Sequence, residues 1–137
     1  MKKKIILAGA GMGSPEGMTS ELLREAAQAE LIIGSERIVS SLRSPEKRVL
    51  AEYRPDEIRR LVDEAPEERV LILVTGDQGF FSAADRIRNC LSDYEPSVIP
   101  GISSVSYFSA RTGIPYDNAA LVSAHGRELN LVSVVRR

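Results

Sequence analysis

Histidine and cysteine are almost missing from this 137-residue sequence: each occurs once, as His125 and Cys90. A single cysteine excludes an intrachain disulfide, and together the two residues are too few for a zinc site built on Cys and His ligands. Cys90 is expected as a small apolar filler on the buried face of a helix. An excess of charge of either sign is also missing. Lys and Arg number 18 against 19 Asp and Glu, a formal net charge of −1, so nothing marks the chain for nucleic acid or anionic lipid. Long hydrophobic runs are absent, which leaves no membrane span. Lys2-Lys3-Lys4 precedes only the short apolar run Ile5–Ala8, too short for a secretory signal, so a cytoplasmic protein is expected.

The usual catalytic patterns are lacking as well. There is no H-E-x-x-H, no G-x-S-x-G elbow, no Gly-Lys-Ser/Thr phosphate loop and no carboxylate pair at motif spacing. Ser103, His125 and Asp77 would make a triad only on paper. His125 is open to two readings, a hydrogen-bonded structural residue or a base. Such a site positions ligands rather than moving protons. It suits transfer from an activated cofactor, where orientation supplies much of the rate. No metal is expected.

What is present is organised around Val70–Ser82. Val70-Leu-Ile-Leu-Val74 is a run of branched residues that reads as a strand buried on both faces, the habit of a parallel sheet between helices. Thr75-Gly76-Asp77 breaks it, and Ser82-Ala-Ala-Asp85 has the spacing of a capping box that would open the next helix. Asp77 either caps this turn or faces a ligand beyond the carboxyl end of the strand.

The remainder alternates in the same way. Ile5–Ala8 predicts the first strand, followed by Gly9-Ala-Gly-Met-Gly13. A helix capped by Thr19 follows, with Leu22, Leu23, Ala26, Ala27 and Ala29 as its apolar face. The dinucleotide pattern G-x-G-x-x-G fails because Ser14 stands at its third glycine. The loop is therefore a close backbone approach to a ligand or simply a tight turn. Leu31–Ile33 predicts a second strand, with Ser35 as helix cap and Arg37 pointing to solvent or to the site. Arg48–Ala51 reads as an edge strand. Pro55 opens a helix with Ile58, Leu61 and Val62 buried. Cys90 and Ile87 share the helix after Ser82, and Ser97–Ile99 is a short strand. Gly113 stops a helix that begins near Ser103 and carries Tyr107 and Phe108, aromatics expected in a core or an interface. Ala119–Ser123 predicts one more strand, whereas 128–137 fits neither helical nor strand period.

These elements predict an α/β domain, three-layer α/β/α with a largely parallel sheet. If the strands are parallel, three loops share one sheet edge: Gly9–Met18, Thr75–Phe81 and Pro100–Ser104. Each is rich in Gly or Ser and precedes a helix, the arrangement of a small-molecule site. A non-catalytic half-module that binds a nucleotide is the alternative of another class.

The motifs also carry a resemblance. Gly9-Ala-Gly-Met-Gly13-Ser-Pro-Glu-Gly-Met-Thr19, Gly76-Asp-Gln-Gly-Phe-Phe-Ser82 and Pro100-Gly-Ile-Ser-Ser104 are similar, in register, to three motifs of the tetrapyrrole methylase superfamily. Ile33-Gly-Ser-Glu-Arg37 and Ser123-Ala-His-Gly-Arg127 resemble its cobalt-precorrin-7 C(5)-methyltransferase and precorrin-6Y C(5,15)-methyltransferase branch. Met12, Ser14, Met18 and Gln78 stand where the family pattern has Pro, Asp, Leu and Pro. The resemblance implies two α/β domains with S-adenosyl-L-methionine held between them. It implies cofactor contacts at Met12, Gly76, Asp77, Phe80, Ser103 and Ser104, and a substrate-facing loop at Gly9, Gly11 and Gly13. It further implies a precorrin or cobalt-precorrin as methyl acceptor and no nucleic-acid or membrane partner. A homodimer is expected, with a decarboxylating methyltransferase as a possible partner protein. Residues 1–118 would form the first domain, and 119–137 the start of a truncated second one. Other methylases of the superfamily, acting on a different precorrin carbon or on RNA, are the alternative within it, and the near-neutral charge argues against RNA. By this reading the 137 residues alone are inactive and self-associate through apolar residues at Leu121, Leu129, Leu131, Val132, Val134 and Val135.

Overall fold

A computed structural model describes residues 3–80 and 82–123. Five parallel strands form one sheet in the order β3-β2-β4-β1-β5. In chain order the elements are β1 (Lys4–Gly9), α1 (Ser20–Gln28), β2 (Leu31–Gly34), α2 (Glu36–Val39), β3 (Arg48–Ala51), α3 (Pro55–Glu64), β4 (Arg69–Val74), α4 (Ala84–Cys90), β5 (Ser97–Ile99) and α5 (Ser104–Thr112). Single 3₁₀ turns lie at Pro15–Gly17, Ser40–Leu42 and Ser92–Tyr94.

The uninterrupted apolar strands sit in the middle because side chains alternate between faces and both faces are covered. Ile5, Leu7, Leu31, Ile33, Val70, Ile72 and Val74 pack with Ile58 and Val62 of α3 and Ala84 and Ile87 of α4. Ile6, Ala8, Ile32, Leu71 and Leu73 pack on the other side with Leu22 and Ala26 of α1 and Ile38 and Val39 of α2. Register places Ile72 of β4 between Leu7 of β1 and Ile33 of β2. β3 and β5 are the edges; β3 is only partly buried, as its opening Arg48 suggests.

Local chemistry sets several helix ends, though Ser35, at the start of α2, makes no side-chain capping bond. Thr19 Oγ1 accepts from the Leu22 N–H at 3.1 Å. Pro55 supplies the first turn of α3. Gly113 ends α5 in the left-handed conformation at φ 73°. The entry to α3 has no capping side chain on Arg54 itself. Glu52 substitutes: its Oε2 accepts from the Tyr53 and Arg54 N–H groups at 2.9 and 3.0 Å, and its Oε1 pairs with the Arg54 guanidinium at 3.1 Å.

Several expectations need correction. Ser82 does not make a capping box with Asp85. Its Oγ accepts from the Ala84 N–H at 3.0 Å, closing a short turn, and α4 starts at Ala84 with Ala83 as its cap residue. Cys90 is exposed. α4 buries Ala84 and Ile87, and its C-cap residue Leu91 is buried beside them; at about 100° per residue Cys90 falls roughly a quarter-turn off the centre of that stripe. On α1, Leu22 and Ala26 are buried but Leu23 and Ala27 face outward, so the apolar stripe is narrower than composition suggested. Of the two readings for Tyr107 and Phe108, the core is excluded among the described residues: α5 buries none of its residues, and they are 41% and 64% exposed. Residues 119–123 form no strand, with Leu121 and Val122 exposed. A β-rich composition does not make a strand without a partner edge. The readings of Phe81, His125 and 128–137 lie outside the described residues.

Two outcomes follow from this packing. Ile72→Ala empties the middle of the central strand, at a cost of about 2–5 kcal/mol, and lowers Tm by roughly 10 °C; a thermal melt checks it. The Arg54 guanidinium, and then the Arg54 backbone N–H, hold the Glu52 carboxyl at about 2, below its usual 4.5. A depressed pKa contributes stability that is fully present above about pH 4.5 and is lost as pH falls through about 2. The Tm advantage of the wild type over Glu52→Gln should therefore be constant near neutrality and vanish towards pH 2.

Candidate functional site

The carboxyl ends of β1, β4 and β5 carry the three Gly/Ser loops, and the structure brings them together. The loop after β1 bonds the loop after β4: the Gly11 N–H donates to Gly76 O at 3.1 Å, and the Gly76 N–H donates to Gly11 O at 2.7 Å. The Ala10 N–H donates to Val74 O at 2.8 Å. The loop after β5 closes on both. A Cβ on Gly101 would lie 2.4 Å from Gly76 O and 2.5 Å from Gly9 O. A Cβ on Gly9 would lie 2.5 Å from Gly76 O. Neither atom has room. Gly76 itself adopts φ 70° and rests against the backbone of Ser103 and Ser104. The tight approach that the glycines permit is thus protein backbone against protein backbone.

Asp77 locks this junction. Its Oδ1 accepts from the Gly101 N–H at 3.0 Å, tying the β4 turn to the β5 loop. Its Oδ2 accepts from the Gly79 N–H at 3.2 Å, shaping its own turn. The Phe80 N–H donates back to Asp77 O at 3.2 Å. Asp77 therefore does more than cap a turn, and its removal frees two loops at once. Ser103 caps α5, its Oγ accepting from the Ser106 N–H at 3.1 Å, and Ser104 is the first helical residue. The other N–H groups of a helix's first turn have no intrahelical acceptor, and the Ser104 nitrogen lies 3.8 Å from where a Cβ on Gly76 would stand.

Of the residues expected to hold a cofactor, Gly76, Asp77, Phe80, Ser103 and Ser104 lie together around this junction. Met12 sits beyond it, half-buried on the first loop. Gly9, Gly11 and Gly13 are buried, and Gly11 and Gly13 take φ values of 61° and 95°. A Cβ on Gly11 would be 2.6 Å from Gly17 O, so this glycine folds the loop on itself.

Sequence reasoning missed the clasp that holds the first loop. Arg37 of α2 donates through one NH to Met12 O at 3.1 Å and through the other to Thr75 Oγ1 at 3.3 Å. Ser41 Oγ donates to Gly13 O at 3.0 Å. Consecutive carbonyls of the glycine loop are thus held from the segment after β2. The Ile33–Arg37 motif was the available signal, but nothing in it says where the guanidinium goes. Also missed was a crevice of about 370 Å³ between the ends of β2 and β4, with Ser35, Tyr53, Thr75, Ser82 and Arg86 on its polar lining. It opens where α2 leaves β2 for one face of the sheet and α4 leaves β4 for the other, the position at which open α/β sheets take ligands.

Residues 4–134 match the profile of the Tetrapyrrole (Corrin/Porphyrin) Methylases. The chain belongs to that family. The methylase chain is 30% identical over 134 residues to a precorrin-6Y C(5,15)-methyltransferase [decarboxylating] of Sinorhizobium sp, covering 93% of this chain and 32% of that protein. It is 29% identical over 147 residues to siroheme synthase 1 of Aeromonas salmonicida, covering 92% of this chain and 31% of that protein. It thus spans about a third of the length of these curated relatives. Among solved structures, the cobalamin biosynthesis precorrin-6Y methylase of Archaeoglobus fulgidus superposes with a TM-score of 0.66 at 27% identity, over 96% of this chain and 69% of that one. The parallel sheet and its flanking helices are the methylase fold.

Gly101→Val should abolish soluble expression or lower Tm far more than Cys90→Ala. The valine side chain meets two carbonyl oxygens that cannot retreat, whereas Cys90 is exposed. Soluble yield and thermal melts of the two variants compare them directly.

Proposed function

We propose that this chain is the cofactor-side half of an S-adenosyl-L-methionine-dependent C-methyltransferase acting on a precorrin or cobalt-precorrin at C(5). The observation that carries the reading is the closed junction of Gly9, Gly76 and Gly101 under Asp77, with the first turn of α5 beside it. The likeness to a C(5,15)-methyltransferase and to a precorrin-6Y methylase supports the branch. The siroheme synthase likeness supports the coarser reading of a methylase for another tetrapyrrole.

S-adenosyl-L-methionine, when bound, supplies an activated methyl group. The residues present suit such a ligand. The free N–H groups at the start of α5 are donors for a carboxylate, and Gly76, Ser103 and Ser104 offer backbone rather than bulk. Phe80 and Met12 add apolar contact on either side. The chain's part is to hold and orient, and orientation is worth several kcal/mol of a transfer barrier. Among the described residues the carboxylate at the junction, Asp77, is engaged by two backbone N–H groups, in keeping with a cofactor that brings its own leaving group. On this reading the loop Gly9–Gly13 borders the substrate, 119–137 begins the second domain, and the apolar surface at Tyr107, Phe108, Leu121 and Val122 is where that domain or a second copy packs.

Titration of this chain with S-adenosylhomocysteine, followed by amide NMR, tests the reading. Weak binding is expected, with shifts confined to Thr75–Phe80 and Pro100–Val105, because a site of this kind closes over most of its ligand. Shifts elsewhere, or none up to millimolar ligand, would sink it. In Asp77→Ala those shifts should disappear. Tm should fall too, because two backbone N–H groups lose a charged acceptor worth about 1.5–3 kcal/mol.

A further inference from the structure

Arg37 is set apart from its neighbours by what it does not bind. Arg43 pairs with Glu36 at 2.7 Å, Arg48 with Glu67 at 2.7 Å and Arg54 with Glu52 at 3.1 Å. Arg37 forms no ion pair among the described residues. Its guanidinium is instead fixed through neutral oxygens, at 3.1 Å to Met12 O and 3.3 Å to Thr75 Oγ1. The Met12 carbonyl belongs to the glycine loop and Thr75 to the end of β4, so one side chain adds a further tie, at Met12, between segments already joined by the Gly11–Gly76 bonds. The side chain is exposed, and a Cβ on Gly13 would come within 3.6 Å of its NH1. Glycine at 13 is called for by its φ of 95°.

We propose that Arg37 positions the first glycine loop and, with the N–H groups its two anchors leave over, receives a carboxylate of the ligand. A planar fork held at two points loses little freedom when it takes a third partner, and its geometry matches the two oxygens of a carboxylate. A salt-bridged arginine would first have to give up its own partner, and Arg37 has none to lose among the described residues. The ligand class is a macrocycle bearing several carboxylates, and this part rests on the tetrapyrrole reading given above. The loop-positioning part rests only on the two hydrogen bonds.

The test uses the 137-residue chain with Arg37→Met, Arg37→Lys and Thr75→Val. Hydrogen exchange of the amides of residues 11–14 reads the clasp. Fluorescence titration with uroporphyrin, a porphyrin with eight carboxylates, reads the charge. Amide NMR with S-adenosylhomocysteine reads the cofactor side. In Arg37→Met, exchange at 11–14 should rise at least tenfold while β1 and β4 stay protected, and uroporphyrin affinity should fall about tenfold. Arg37→Lys should keep part of that affinity but not the loop protection, because an ammonium cannot reach both anchors. Thr75→Val should loosen the loop with the charge intact, and should carry the test if Arg37→Met fails to fold. Wild-type protein that binds no uroporphyrin, an Arg37→Met that binds it unchanged, or an Arg37→Lys equal to wild type in both readouts overturns the proposal. If S-adenosylhomocysteine gives no response while uroporphyrin affinity still depends on Arg37, the methyltransferase reading falls and the assignment of Arg37 stands.

Discussion

Three strand-end loops touch backbone to backbone at Gly9, Gly76 and Gly101, and most features of this edge follow from that contact. Carbonyl oxygens stand where a Cβ would have to go, at 2.4–2.5 Å. Glycine is required at 9 and 101 by exclusion, and at 76 by a positive φ. Once the loops are this close, their amide groups can be satisfied only by each other or by a nearby acceptor. Gly11 and Gly76 exchange two hydrogen bonds, and Asp77 takes the Gly101 N–H. Asp77 is thus the carboxylate that such a closure needs, since a buried or half-buried donor without an acceptor costs about 1–3 kcal/mol.

The junction rests on a sheet that is packed from both faces. β1, β4 and β2 are apolar on both faces and are covered by helix pairs on either side. The two-residue alternation gives each face its own cluster, so the central strands are held by packing from above and below, to interior density. The neighbouring positions of β1, β4 and β5 then place their three following loops side by side. An edge made of loops alone would not hold backbone contacts of this closeness. Buried strands set the spacing, and the glycines exploit it.

The sequence made the sheet legible for physical reasons. Val70–Val74 and Leu31–Ile33 are too continuous for an amphipathic helix, and Pro55 and Thr19 fix helix starts with chemistry that needs no tertiary context. The loops that gather at the edge were legible too, because parallel strands put all their carboxyl ends on one side. What each glycine meets was not legible. A glycine-rich loop looks the same whether a ligand or another loop approaches it, and only the structure separates the two for Gly9 and Gly101. Arg37 is illegible for a similar reason: an arginine on a short helix reads as solvated until its long side chain is seen crossing to Met12 and Thr75. Cys90 and Leu23 were misplaced because helical periodicity leaves the margin of the buried stripe undecided, and Ala119–Ser123 because strand propensity says nothing about whether a partner edge exists.

A site built by loops that bond one another has a consequence for how it would bind. Loops ordered only by their ligand lose conformational freedom at the moment of binding, on the order of 1–2 kcal/mol per backbone residue fixed. Here the Asp77 bonds, the Gly11–Gly76 pair and the Arg37 clasp tie the residues around the junction through the protein's own groups. That ordering is done during folding, so contact energy at this edge goes into affinity and alignment rather than into arranging the loops. On the proposed reading, the arrangement suits a half-site that contributes orientation to methyl transfer. On that same reading one histidine is no obstacle to belonging to an enzyme family, because a cradle for an activated donor needs fixed backbone more than it needs titratable side chains.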